Sequence, residues 1–190
     1  MKKIGVLGLQ GAYVAHQKAL QQCNVQAPIV RTAEEIMACD GLIMPGGEST
    51  TMGLLMQRFH VGEAIVELAK KGKPIFGTCA GMILLAKEIV GSEQYRLNLL
   101  DIAVQRNAFG RQIDSFNTPL AVSVLGKPDF PAVFIRAPFI EKILNPAVQT
   151  LCEFDHHPIL VQQDNILAAA FHPELSHDLR IHQYFLRENF

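Results

Sequence analysis

The chain has few of the features that mark nucleic-acid-binding and membrane-spanning proteins. It contains no tryptophan, and only 18% of its 190 residues are charged. Seventeen basic and 18 acidic side chains give a formal net charge of −1, which excludes a general polyanion binder because such proteins carry clustered basic residues. No apolar run approaches the ~18–20 residues that span a bilayer. Polar residues soon interrupt the apolar start, which favours a first core strand over a signal peptide.

The cysteines are too widely and irregularly spaced for a zinc ribbon. They are Cys23, Cys39, Cys79 and Cys152, and no two of them form a C-x-x-C pair. A chain of this length does not need disulfides for stability, so we expect reduced thiols in a cytoplasmic protein. The length also fits one domain, which we place at residues 1–190.

The order of predicted strands and helices indicates an α/β fold. In the first half, strands alternate with helices, which favours a parallel sheet. The predicted strands there are 4–9, 27–30, 41–44 and 74–76, and the predicted helices are 11–23, a short one capped by Thr32, 61–71 and 82–90. In the second half, closely spaced strands favour an antiparallel extension. These strands are 102–104, 120–125, 132–135, 147–152, 158–161 and 166–171, followed by a helix over 176–189. We therefore predict a mostly parallel central sheet flanked by helices.

The pentapeptide Gly77-Thr78-Cys79-Ala80-Gly81 has the pattern of a nucleophile elbow. It lies between a predicted strand and a predicted helix, and its glycines let neighbouring backbone approach a nucleophile held on a sharp turn. Cys79 would lie at the helix N-terminus, where free N–H groups favour a thiolate. The N–H of Ala80 is then a candidate oxyanion donor. A buried structural cysteine in a glycine-containing turn is the alternative.

A nucleophilic cysteine needs a base, and one histidine has a suitable sequence context. His172 follows the apolar strand 166–171 and stands two residues before Glu174. In extended backbone, residues two apart point the same way, so both side chains would emerge together at a strand end, where α/β proteins place their sites. An ordinary surface loop is the alternative.

A third stretch, residues 45–51 (PGGESTT), also follows a predicted strand. Gly46 and Gly47 permit a turn whose N–H groups point at a ligand, and this turn is a candidate for the second oxyanion donor. A phosphate-binding loop is disfavoured because no lysine follows the glycines. A plain tight turn remains open.

These three stretches, with three others, resemble the class I (triad-type) glutamine amidotransferases. The closer resemblance is to the glutaminase subunits of pyridoxal 5′-phosphate synthase. The stretches that carry it are 5–11 with His16, 45–51, 77–81, 105–112 (QRNAFGRQ), 134–138 (FIRAP) and 171–175. Ala108 stands where the family often has serine, and 154–158 is locally unusual.

The resemblance implies an activity and a set of site residues. Cys79 would attack the side-chain amide of L-glutamine to form a γ-glutamyl thioester, with His172 as base and Glu174 orienting it. The N–H groups of Gly47 and Ala80 would hold the oxyanion. The glutamine-binding positions would be Gly46, Gly47, Glu48, Arg106, Ile135 and Arg136.

The resemblance also implies a fold and a partner. The fold would be that of a class I glutamine amidotransferase, which is flavodoxin-like. The partner would be a (β/α)₈-barrel synthase subunit in a hetero-oligomer, where ammonia is condensed with a pentose phosphate and a triose phosphate. Neither a cofactor nor a metal is implied, and we expect no contact with nucleic acid or membrane.

Other functions stay open on the sequence alone. The chain could supply ammonia to a different synthase, or be an esterase or peptidase built on the same elbow. A metallohydrolase using residues 155–157 and His177 lacks an H-E-x-x-H frame. A dinucleotide-binding domain is disfavoured because Gly5, Gly8 and Gly11 are spaced G-x-x-G-x-x-G.

Overall fold

The computed structural model describes residues 1–106 and 115–187. Within these ranges the strands are β1 (Ile4–Leu7), β2 (Ile29–Val30), β3 (Gly41–Met44), β4 (Ile75–Thr78), β5 (Ala86–Ile89), β6 (Leu100–Gln105), β7 (Ser115–Leu120), β8 (Phe130–Ile135), β9 (Phe139–Ile143), β10 (Gln149–Phe154), β11 (His157–Gln163) and β12 (Ile166–Ala169). The helices are α1 (Tyr13–Gln22), α2 (Ala33–Met37), α3 (Ser49–Arg58), α4 (Val61–Lys70), α5 (Ala80–Leu85) and α6 (Arg180–Phe185), with a 3₁₀ helix over Pro173–Leu175.

Seven strands form the central sheet in the order β10-β11-β12-β4-β3-β1-β2. The five strands from β12 to β2 are parallel, whereas β11 and β10 continue the sheet antiparallel. This topology confirms the predicted mostly parallel sheet with an antiparallel extension. Because the carboxyl ends of parallel strands lie at one edge, the loops after β1, β3, β4 and β12 meet there.

The parallel strands are buried on both faces, as their apolar sequences predict. Every residue of β1, β3, β4 and β12 is buried, which is typical of strands covered by helices on both sides. Helix α4 turns one apolar face to the core through Val61, Ile65 and Leu68. The predicted cap of α2 at Thr32 is also present, as a capping box in which Thr32 and Glu35 bond each other's backbone N–H groups.

The β7–β8 ribbon is attached to the core by aromatic packing. Phe134 of β8 stacks on Phe116 of β7, with 4.6 Å between ring centroids. Phe134 also lies 5.6 Å from the ring of Phe171, directly after β12. The N–H of His172 donates to the carbonyl of Val133 at 2.8 Å. The end of β8 is therefore held beside the loop that follows β12.

Two predictions about helices in the first half are wrong. Residues 49–58 form helix α3, which was not predicted because the polar run ESTT at 48–51 was interpreted as part of a turn. The predicted helix 82–90 ends at Leu85, and Ala86–Ile89 pairs with β6 as strand β5. Tertiary pairing with β6 overrides the local preference here.

The second half also departs from its predicted boundaries. Strand β7 ends at Leu120, where the predicted strand 120–125 was to begin, and β9 was missed. The predicted helix over 176–189 is present only as Arg180–Phe185, and residues 188 and 189 lie outside the described residues. None of the helices in the described part of the chain has the length and apolar composition needed to cross a bilayer.

Candidate active site

The loops at the carboxyl edge of the sheet enclose a cavity of about 500 Å³, within the size range of small-ligand sites. Its wall includes Cys79, His172 and all six positions predicted to bind glutamine. The lining residues are Gly11, Ala12, Gly46, Gly47, Glu48, Ser49, Cys79, Ile83, Arg106, Ile135, Arg136 and His172. Residues far apart in the sequence are thus brought to one site.

Cys79 has the strained backbone expected of a nucleophile elbow. Its φ of 49° and ψ of −105° lie outside the regions that ordinary residues favour. The turn is tight because a Cβ at Gly77 would lie 2.7 Å from the carbonyl carbon of Gly81, and one at Gly81 would collide with the carbonyl of Met44. The N–H of Cys79 donates to the carbonyl of Ala169 at 2.8 Å. Both glycines are therefore sterically required.

His172 connects Cys79 to Glu174. Its Nδ1 lies 2.7 Å from Glu174 Oε1, and its imidazole interacts with the Cys79 side chain in the cavity wall. Burial alone would lower the pKa of His172, but the hydrogen bonds and charges of Cys79 and Glu174 outweigh it and raise that pKa to about 10. The geometry is that of a nucleophile, a base and an orienting acceptor.

The structure brings His172 and Glu174 together by a different route from the predicted one. Residues 173–175 form a 3₁₀ helix, so the two side chains do not share one face of an extended strand. Pro173 starts this turn, and Glu174 is buried within it. The two residues meet as predicted, but the alternation argument behind the prediction is wrong.

The Gly46–Gly47 turn is packed against Cys79 and His172. A Cβ at Gly46 would lie 2.5 Å from Cε1 of His172 and 3.3 Å from Cβ of Cys79. The carbonyl of Gly46 accepts a hydrogen bond from the N–H of Ala12 at 3.0 Å. Because the C=O and N–H of a trans peptide point in opposite directions, the N–H of Gly47 points away from Ala12.

Ala80 contributes its backbone N–H group to the site, whereas its side chain does not line the cavity. It is the first residue of α5 and directly follows Cys79, and its side chain is buried outside the cavity wall. The N–H groups of the first helical turn have no acceptor inside the helix. The N–H of Ala80 is thus available beside the sulfur.

The carboxylate of Glu48 is used by the protein itself. It accepts hydrogen bonds from the backbone N–H groups of Thr50 and Thr51 and from the Thr51 hydroxyl, and so caps the start of α3. The bond from the Thr51 hydroxyl, together with those from the two N–H groups, outweighs the opposing effect of burial and lowers the pKa of Glu48 to about 2. Glu48 is therefore an anion at the cavity wall.

Arg106 is held in place by a residue that the sequence did not suggest. Its Nη1 donates to Gln94 Oε1 at 2.7 Å and to Thr50 Oγ1 at 3.3 Å. Gln94 lies in the irregular segment between β5 and β6, outside the motifs of the resemblance, so no local pattern indicated it. The remaining motif residues 107–112 lie outside the described residues.

Ile135 and Arg136 reach the cavity from the end of β8. Ile135 is the last residue of that strand and is 38% exposed. Arg136 follows with a φ of 43°, a left-handed conformation that non-glycine residues rarely adopt. The cavity wall thus carries two arginines, Arg136 and Arg106, near the presumed nucleophile.

The described residues contain no group of three or more histidine, cysteine or acidic side chains placed to hold a metal ion. This includes the stretch 155–157, where the ring of His157 stacks on Phe139 with 3.9 Å between centroids. The metallohydrolase alternative therefore finds no ligand cluster in residues 1–106 and 115–187.

Comparison with known proteins finds similarity to glutamine amidotransferases in the family model, in sequence relatives and in a solved structure. The model of the SNO glutamine amidotransferase family matches residues 6–190. A pyridoxal 5′-phosphate synthase subunit PdxT from Desulforamulus reducens is 55% identical over 184 residues, covering 97% of each chain. Another from Moorella thermoacetica is 53% identical over 185 residues, covering 97% of this chain and 98% of the relative. A crystal structure described as a glutamine amidotransferase superposes with a TM-score of 0.91 at 46% identity, covering 96% of both chains.

Proposed function

The chain belongs to the SNO glutamine amidotransferase family, and on that premise we propose that it is the glutaminase subunit of a pyridoxal 5′-phosphate synthase. It hydrolyses L-glutamine to L-glutamate and ammonia. The observation that carries the proposal is the Cys79–His172–Glu174 arrangement, with Cys79 and His172 in the wall of a cavity that all six predicted glutamine-binding positions also line.

The first half of the reaction builds a thioester. Glu174 occupies Nδ1 of His172, which leaves Nε2 for Cys79. His172, whose pKa is raised to about 10, already holds the thiol proton near neutral pH, and the Cys79 sulfur attacks the side-chain amide carbon of glutamine. The tetrahedral intermediate then collapses. The C–N bond breaks, His172 returns the proton to the departing ammonia, and a γ-glutamyl thioester remains on Cys79.

The second half releases glutamate. A water molecule attacks the thioester carbon while His172 accepts one of its protons. The C–S bond then breaks, glutamate leaves, and the proton returns to the Cys79–His172 pair. In both halves the N–H groups of Gly47 and Ala80 stabilise the oxyanion, because fixed donors need no reorientation when charge develops.

Charged groups in the wall account for recognition of a free amino acid. Glutamine presents an α-carboxylate and an α-ammonium, and charge-assisted hydrogen bonds to both are the strong ones. We assign Arg106 and Arg136 to the carboxylate side. We assign Glu48 and backbone carbonyls of the wall to the ammonium side, and Gly46, Gly47 and Ile135 shape the path of the side chain to Cys79.

The ammonia is consumed on another chain. We propose a (β/α)₈-barrel synthase subunit as the partner in a hetero-oligomer, with residues 1–190 as one amidotransferase domain. We place the protein in the cytoplasm. Cys23, Cys39, Cys79 and Cys152 are all unpaired in the structure, and a reducing compartment keeps thiols in that form.

The test is release of glutamate and ammonia from glutamine by the purified chain together with the synthase subunit. Cys79→Ala should reduce turnover on the order of 10⁴-fold or more, because a nucleophile cannot be replaced by a methyl group. Its circular dichroism spectrum should match wild type. A panel of esters and peptides serves as the control substrates, and preferential cleavage of any of them, or near-wild-type turnover by Cys79→Ala, contradicts the proposal.

A further inference from the structure

A row of buried imidazoles lies behind Glu174, on the side away from the cavity. Nε2 of His16 is 3.2 Å from Glu174 Oε2 and 3.0 Å from the hydroxyl of Thr78. Nδ1 of His16 is 3.0 Å from Nε2 of His182. His16 and His182 are both fully buried. The triad is thus the cavity-facing end of a longer row of polar side chains.

His16 lies beside the carboxylate oxygen of Glu174 that His172 does not contact. One oxygen of the carboxylate is used by His172, and the other, Oε2, makes no hydrogen bond to any described residue. His16 Nε2 is the polar group recorded within ion-pair distance of it. A buried carboxylate without a nearby positive dipole is costly to ionise. Burial raises the pKa of Glu174, and the hydrogen bond and charge of His172 oppose that effect and help to hold the pKa below its usual range.

The contacts select one arrangement of protons. Burial lowers the pKa of both His16 and His182, that of His182 to about 3, so both are neutral near pH 7. If His16 carries its proton on Nε2, an N–H faces Glu174 and Thr78, and Nδ1 accepts from His182 Nε2–H. The other tautomer would turn a lone pair of His16 toward the carboxylate and leave a buried N–H on His182 Nδ1, which has no partner among the described residues.

These side chains come from separate elements that meet only in the folded protein. His16 is on α1, His182 is on α6, and Thr78 ends β4 directly before Cys79. The ring of Phe76 packs edge-on against both imidazoles, at 6.3 Å between centroids in each case. The titratable groups facing His16 are Glu174 and His172 from the loop after β12 and His182 from α6. The ring of Phe76 therefore covers both imidazoles from one side.

We infer that His16 is a positioning residue for the glutaminase triad: its Nε2–H holds Glu174 as an oriented anion, and His182 fixes the His16 tautomer. This inference depends on the proposed function for its kinetic readout. His16 touches neither the cavity nor the substrate, so it acts through Glu174 and then His172. Loss of the His16 N–H should affect the chemical step far more than binding.

The kinetic test uses His16→Leu and His16→Gln in the complex with the synthase subunit. Outer partners of catalytic groups typically contribute ~10–100-fold to activity, and we expect that loss in kcat for His16→Leu with KM changed less than about threefold. The amide nitrogen of glutamine can take the place of Nε2, so His16→Gln should recover most of the loss. The alkaline limb of the pH profile should move to lower pH in His16→Leu and return in His16→Gln.

A matched control separates positioning from stability. Leu68→Ala lies on a different helix, α4, and removes a buried side chain, so it should lower stability but keep kcat. Wild-type kcat in His16→Leu, or equal losses in the leucine and glutamine variants, overturns the inference. If the wild-type complex itself releases no ammonia from glutamine, the proposed function fails instead.

A spectroscopic measurement on the wild-type full chain needs neither a variant nor activity. The imidazole ¹⁵N resonances of His16 and His182 should each show a protonated Nε2 and an unprotonated Nδ1 near pH 7. A proton on Nδ1 of His16 overturns the inference whatever the kinetics show.

Discussion

At the scale of single residues, the bond between His172 and Glu174 sets the pH range of activity. Replacing Glu174 with glutamine removes the charge but keeps the shape, so the pKa of His172 should fall from its raised value. We expect Glu174→Gln to lose up to about 10⁴-fold in kcat, as when the acid of a triad becomes an amide. The alkaline limb of kcat/KM against pH should also move to lower pH. An unmoved limb would contradict this.

The His172–Glu174 pair also stabilises the folded protein to an extent that depends on pH. The pKa of His172 is raised from 6.5 to about 10, so protonation favours the folded state. The stabilisation is complete below pH 6.5 and is lost as pH rises through about 10. Urea denaturation of Glu174→Gln should therefore show a weaker decline in stability over that window than wild type.

Gln94 is expected to act on substrate affinity through Arg106. Its Oε1 accepts from the guanidinium at 2.7 Å, and without it the arginine loses its strongest recorded anchor. Gln94→Leu should raise KM for glutamine about tenfold, the equivalent of roughly 1.4 kcal/mol, with kcat little changed. Glu93→Ala, at an exposed side chain of the same segment and outside the cavity wall, is the matched control. Equal effects of the two variants on KM would count against this role.

The site residues that lie in sequence motifs could be predicted, whereas the residues that hold them in place could not. Cys79, His172 and the glutamine-binding positions lie at strand ends, where sequence pattern and chain geometry agree. Gln94 and the His16–Glu174 contact depend on side chains that meet across the fold. No spacing rule encodes such a meeting, because the helix and loop that carry these residues are placed by core packing.

At the scale of elements, Glu48 determines how α3 begins. Its carboxylate accepts two N–H groups of the first turn, and loss of such a cap typically costs ~1 kcal/mol. Glu48→Ala should lower the free energy of unfolding by about that amount near pH 7. Its pKa is lowered from 4.5 to about 2, so the stabilisation is present above pH 4.5 and is lost as pH falls toward 2.

Chemical denaturation at pH 7 and at pH 3 measures this effect. The difference between wild type and Glu48→Ala should shrink at the lower pH. Glu48→Gln, which keeps one acceptor oxygen, should lie between the two. A difference that does not depend on pH would show that the carboxylate charge is not what stabilises the helix.

The sequence predicted the secondary structure of the segments that are buried on both sides. The parallel strands are short apolar runs between turns, and these were placed within a few residues. Helix α3 was missed because its first turn is polar, and β5 was assigned to a helix because its pairing partner lies outside the local window. Edge strands owe their conformation to such partners, so local preference predicts them poorly.

At the scale of the whole molecule, the cavity is open on one side, and this bears on activity. We expect the isolated chain to be weakly active and the synthase subunit to raise its glutaminase turnover at least about tenfold, because closure excludes water and completes the geometry. Exposed Ile135 lies at the cavity wall, where such a partner would cover it. Titrating the partner into a glutaminase assay measures the effect, and equal turnover with and without it would contradict the coupling.

The row of buried side chains has a consequence for biosynthesis of the protein. His16 and His182 are 166 residues apart and yet touch. The strand that precedes His172 is among the last made but lies in the middle of the sheet. A ribosome must therefore release nearly the whole chain before the catalytic groups can assemble. A nascent or proteolytically shortened subunit that ends before β12 lacks His172, Glu174 and an inner strand of the sheet. It should therefore have no glutaminase activity at all, rather than a reduced activity.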